Sequence, residues 1–162
     1  MKQLHGTIKQ QSPTLFLRVA IVLLALAIAA VCVFALPVGI RDPEAGGYRV
    51  ILAGLYVPAV PFFAGLYQAL LLLEYIDKSQ AFSDKSIRAL KRIKYYAIVI
   101  SALFAAGMPY IYQVANRDDA PGVVALGLAV TFASLVIATF AAVLQKLLQS
   151  GMDLKLENDL TV

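Results

Sequence analysis

Four long apolar runs decide what this chain can fold into: Leu15–Leu36, Val50–Leu73, Ala97–Val114 and Val123–Leu144. A helix needs about 20 predominantly apolar residues to cross the hydrocarbon of a bilayer, and each run is near that length. Arg18 is the only charged residue inside any of them, and it sits close enough to one end to snorkel. In lipid every backbone N–H and C=O must find an internal partner, which leaves helices or closed barrels. Runs of this length predict an all-α integral membrane bundle of four transmembrane helices, each antiparallel to its sequence neighbour. They form one domain over residues 1–162, with 145–162 as a tail.

Composition excludes the water-soluble alternative. The chain is 60% hydrophobic and 15% charged, where soluble domains sit near half and about a quarter. The first run exceeds the roughly 7–15 apolar residues of a signal peptide, so a retained transmembrane helix is expected. The connecting stretches "PVGIRDPEAGGY" and "ANRDDAPG" are short and rich in turn residues, too small for a folded extramembrane domain.

Lys and Arg set the orientation. Eleven of them lie on the N-terminal side, in the segment between the second and third crossings, or in the tail. The opposite loops hold only Arg41, Arg49 and Arg117. Both termini and the middle segment are therefore expected in the cytoplasm. The net charge of +4 is concentrated beside the membrane, which suits anionic headgroups and gives no reason to expect direct nucleic acid binding.

The densest basic stretch is "AFSDKSIRALKRIKYYAIVI", Ala81–Ile100. Ser83 is a candidate N-cap, with Asp84 in the first turn where a negative charge suits the helix dipole. No Gly or Pro follows before Gly107, so a basic amphipathic extension is expected to run unbroken into the third crossing. Lys85, Arg88, Lys91, Arg92 and Lys94 are the candidate docking residues, for anionic lipid or a protein partner; orientation of the chain alone would also explain them. Tyr95 and Tyr96 fall where aromatic belts lie. Glu74 is expected to pair with Arg92 or Lys94 across the hairpin.

Inside the crossings, Pro58 and Pro61 between Gly54 and Gly65, and Pro109 beside Gly107, are expected to bend their helices. Gln68, Gln113 and Gln145 read as helix-end residues, which leaves a substrate path without polar groups. Gly127, Thr131, Ser134, Ala138 and Ala142 form a small-residue stripe, used either within the bundle or in a homo-oligomer. No catalytic, cofactor or metal constellation is legible. His5 is the only histidine, Ser12, Ser101 and Ser134 lack a base, and Cys32 is the only cysteine.

Two segments together resemble the DUF2975 family of small bacterial membrane proteins. "AFSDKSIRALKRIKYYAI" is similar to its Phe-Ser…Leu-Arg/Lys-x-Ile segment, matched by Phe82, Ser83, Leu90, Lys91 and Ile93. "DLKLENDLTV" resembles its C-terminal tail, matched by Glu157, Asn158, Asp159, Leu160 and Thr161. The resemblance implies a multi-pass protein of the bacterial inner membrane, without catalytic residues to carry over. It also suggests as partner a small helix-turn-helix regulator of the Cro/CI type, often encoded beside such proteins. The tail itself reads three ways: unordered, salt-paired to Lys85 or Arg88, or a short recognition peptide. The function expected is that of a non-enzymatic membrane partner of a small transcriptional regulator. The rival readings are a small transporter or channel, and a structural or stress-related component binding anionic lipid.

Overall fold

The computed structural model describes residues 2–161, with side chains from Thr14 onward. Readings that fall on the side chains of Lys2, His5, Lys9 and Ser12, or on Val162, lie outside the described residues. The chain runs through α1 (Lys2–Ala30), a π-helical turn (Val31–Ala35), α2 (Leu36–Arg41) and a 3-10 turn (Pro43–Ala45). It continues through α3 (Tyr48–Gly54), α4 (Tyr56–Asp77), α5 (Asp84–Arg117) and α6 (Pro121–Leu160). No strand occurs among the described residues. Four stretches are long and apolar enough to cross a membrane: Thr14–Arg41, Tyr48–Asp77, Asp84–Arg117 and Pro121–Leu160. The four-helix fold read from the apolar runs is the one observed.

The π turn in the first crossing follows from Pro37. In the widened register the Leu36 N–H bonds to the Val31 carbonyl. The carbonyl of Cys32 would next take the N–H of residue 37, and proline has none. The Tyr56 hydroxyl, from the neighbouring crossing, donates to Cys32 O at 2.8 Å instead. An unsatisfied carbonyl in lipid costs several kcal/mol, on the order of a lost hydrogen bond in an apolar medium. Tyr56 removes that cost and ties the two crossings together.

The second crossing is jointed at Leu55, between α3 and α4, where the Leu55 N–H is shared between the carbonyls of Ile51 and Leu52 at 3.1 and 3.3 Å. Pro58 lies one turn further on and offers no N–H to the Gly54 carbonyl. Pro61 and Pro109, in contrast, are carried inside α4 and α5. A groove of about 310 Å³ lies beside the joint, lined by Gly54, Leu55 and Pro58 on one side and Leu103, Phe104 and Gly107 on the other.

Two later connections end their helices alike. Ser79 and Asp119 adopt positive φ, 58° and 50°. The next residue then bonds back five positions, Gln80 N–H to Tyr75 O and Ala120 N–H to Ala115 O, each at 2.8 Å. This is a Schellman closure without its usual glycine.

Helices pack chiefly in chain order, α1 on α4, α4 on α5, and α5 most extensively on α6. Small residues make the last pairing close. Gly127, Ser134, Ala138 and Ala141 are buried, and a Cβ built on Gly127 would lie 2.9 Å from Met108 Cε. The Ser101 hydroxyl donates across the seam to Thr131 O at 3.1 Å. Of the expected stripe, Gly127, Ser134 and Ala138 are buried in this pairing, and Thr131 and Ala142 are half-buried.

At the end bearing both termini, Phe82 fills the space left by Gly151. A Cβ there would come within 2.6 Å of Phe82 Cε1. Replacing Gly151 with Leu is expected to cost about 1–3 kcal/mol by overpacking, read as a lower unfolding temperature in detergent. Phe82→Ala in the same chain should recover most of the loss; no recovery would separate Phe82 from the effect.

Candidate functional site

The candidate residues gather at the basic end, around the first turns of α5. Ser83 caps that helix, its Oγ accepting from Ser86 N–H at 3.4 Å. The Gln80 carbonyl accepts from Ser83 Oγ at 2.6 Å and from Ser86 Oγ at 3.0 Å. These serines bind the α4–α5 turn to the helix start, and Ser86 is fully buried. Ile87, Ala89 and Leu90 are buried beyond them.

The cations stand on the opposite side. Lys85, Arg88, Lys91 and Arg92 are exposed. Lys94, half-buried, donates to Gln145 Oε1 at 3.3 Å and lies 5.4 Å from the Tyr95 ring centroid. None of the five is ion-paired among the described residues, where the salt bridges are Arg18–Asp77, at 2.9 Å, and Lys78–Glu74.

The pairing expected of Glu74 and one of the three readings of the tail are therefore corrected. Glu74 pairs with Lys78, one turn along its own helix, rather than with Arg92 or Lys94. The register explains this, because a Cβ on Gly65 would lie 3.8 Å from Tyr96 Cβ. That level sets Glu74 about 13 Å further toward the basic end, well past Lys94. The tail likewise makes no ion pair with Lys85 or Arg88 among the described residues. With Gly151 already beside Phe82, the residues that follow run beyond the start of α5.

Nor is the tail unordered. Helix α6 continues to Leu160, and Thr161 Oγ1 donates to Glu157 O at 2.6 Å and to Asn158 O at 3.2 Å. Glu157, Asn158, Asp159 and Leu160 are exposed, Leu160 at 87%. They form the tip of a continuous helix that carries the acidic residues away from the basic face.

Gln68 also departs from expectation. It is buried within α4, nine residues from Asp77, and not at the helix end. The Gly65–Tyr96 register nevertheless places it near Ile93, at the basic rim. Among the described residues no group of three or more His, Cys, Asp or Glu is placed to hold a metal. Cys32 is a free thiol.

Comparison with known proteins fits this architecture. The family described as "Protein of unknown function (DUF2975)" matches residues 16–162. The chain belongs to the DUF2975 family. It is also similar to the uncharacterized membrane protein YoaS of Bacillus subtilis (strain 168), at 52% identity over 156 residues, covering 92% of this chain and 97% of that one. No solved structure matches.

Sequence reading missed the Arg18–Asp77 pair, which joins α1 to α4 across 59 positions. Each charge stood at the edge of an apolar run, and nothing local linked them. Arg18 Nε is buried without a hydrogen-bond partner, while the side chain as a whole is 40% exposed and meets Asp77 through Nη2. A double-mutant cycle with Arg18→Gln and Asp77→Asn should give a coupling of up to about 1 kcal/mol, measured by unfolding in mixed detergent. Additive effects would reduce the pair to a surface coincidence.

Proposed function

We propose that this membrane protein is a non-enzymatic docking partner of a small soluble regulator of transcription, held at the cytoplasmic face of the bacterial inner membrane. The carrying observation is the exposed side of α5, whose cations are left without carboxylate partners while its other side is buried. The eleven-to-three distribution of Lys and Arg supports cytoplasmic placement of that end. The family resemblance supplies the kind of partner.

Reach along the helix supports a soluble partner for the outer part of this face. Helices rise about 1.5 Å per residue, so Arg88 and Lys85 stand about 9 and 14 Å beyond Lys94. Charges at physiological ionic strength are screened over about 8 Å. Headgroups at the level of Lys94 therefore attract these two only weakly. The acidic tip, with Asp153, Glu157 and Asp159, offers the complementary charge for a basic DNA-binding protein, beside the exposed Leu154 and Leu156.

The test is co-purification from mildly solubilised native membranes. Intact chain is compared with Lys85→Glu/Arg88→Glu and with Glu157→Lys/Asp159→Lys, after equal insertion is verified. The regulator should be recovered with the intact chain and reduced at least tenfold by one or both reversals. Recovery of no DNA-binding protein, or equal recovery with all three forms, would overturn the reading. Reporter fusions at both termini should also score as cytoplasmic.

A further inference from the structure

The face that α6 turns to α5 does not stop where α5 begins. Ser134, Ala138, Ala141, Gln145, Leu148 and Met152 recur three or four positions apart and are buried or half-buried, while most residues between them are exposed. Helix α5 covers this stripe only as far as its own start. Its first residue is Asp84, and Phe82, just before it, lies against Gly151. From Asp153 to Leu160 α6 continues for about two more turns, with every residue exposed.

Those two turns keep an apolar stripe. Leu156 and Leu160 follow Met152 at i+4 and i+8, so each steps only about 40° round the helix from the one before. Leu156 is 55% exposed and Leu160 87%. Carboxylates flank them. Measured round the helix from Leu156, Asp153 and Asp159 fall about 60° to either side, and Glu157 about 100° away. Leu154 lies on the far side, and Lys155 is the only cation among these residues. The tip thus carries an acid-flanked apolar stripe, continuous with the α5–α6 seam through Met152.

Its chemistry selects what covers it. Leu156 stands about 16 Å along α6 beyond Gln145, the residue that Lys94 reaches at the basic rim. Apolar side chains at that height face water, a cost that a partner removes, and the carboxylates beside them repel anionic headgroups. A second copy paired along the stripe would set carboxylate against carboxylate, and like charges brought together oppose association. A basic partner meets neither obstacle. We propose that Met152, Leu156 and Leu160 are the docking stripe for a basic amphipathic helix of a soluble protein, which packs on α6 in the place along the seam that α5 leaves. Apolar residues of that helix, three or four apart, meet the leucines. Lys or Arg beside them meets Asp153, Glu157 and Asp159. The inference deepens the docking reading above and rests on it for which protein carries the helix.

The experiment places photoreactive benzoylphenylalanine at position 156 of the full chain, or at position 154 as the far-side control. Native membranes with their associated soluble proteins are irradiated, and cross-linked peptides are read by mass spectrometry. Position 156 should yield adducts with a helical segment that carries Lys or Arg beside apolar residues three or four apart, and position 154 should not. Asp153→Lys/Asp159→Lys, both exposed positions, should lower the yield about tenfold at equal membrane insertion, because attraction becomes repulsion. Adducts with lipid, with this chain itself or with an acidic segment overturn the proposal, as do equal yields from the two positions or none from either. The regulator reading fails separately. A basic helix captured at 156 from a protein that binds no DNA keeps the stripe and removes the regulator. A DNA-binding protein captured at 154 and not at 156 does the reverse.

Discussion

The demand that every backbone polar group find a partner without help from water governs this structure. It is why the chain is helical nearly throughout, and its effect is clearest where helices are interrupted. Pro37 deprives the Cys32 carbonyl of a donor, and the hydroxyl of Tyr56 in the next crossing supplies one. The Schellman closures at Ser79 and Asp119 give the last carbonyls of α4 and α5 partners inside the turn. Each interruption is thereby converted into a tie, between crossings or between a helix and its own turn.

Helices α5 and α6 make the most extensive pairing in the molecule. Their seam combines close backbone approach at Gly127, the Ser101–Thr131 hydrogen bond, and Phe82 seated on Gly151. Association in lipid gains little from burying apolar surface and depends on close packing and hydrogen bonds. The weaker attachment of the first crossing fits the same logic, since it offers mainly Leu, Val, Ile and Ala from Leu15 onward and meets α4 through Arg18–Asp77 and Tyr56–Cys32.

Much of the fold was legible because its determinants are local. Run length and turn residues predict four crossings, and Ser83 followed by Asp84 predicts the α5 start. Partner choice was not legible, because it depends on register between helices. Glu74 had two basic candidates across the hairpin, but Lys78 lies one turn away on its own helix and captures it. The tail had acidic residues suited to Lys85 and Arg88, yet the Phe82–Gly151 contact sets a register that sends them past α5. Of the candidate site, the exposed cations were identifiable by sequence.

Helix α6 has 40 residues without interruption, a rod of about 60 Å. Its first turn sits at the loop end and its last stands beyond α5 at the other. Such a rod is held along its middle by the seam with α5. A pivot of about 5° would carry the Leu160 tip through roughly 5 Å relative to Pro121 for that length. The acidic tip and the loop end are thus two ends of one continuous helix, and any tilt of it is largest at its ends.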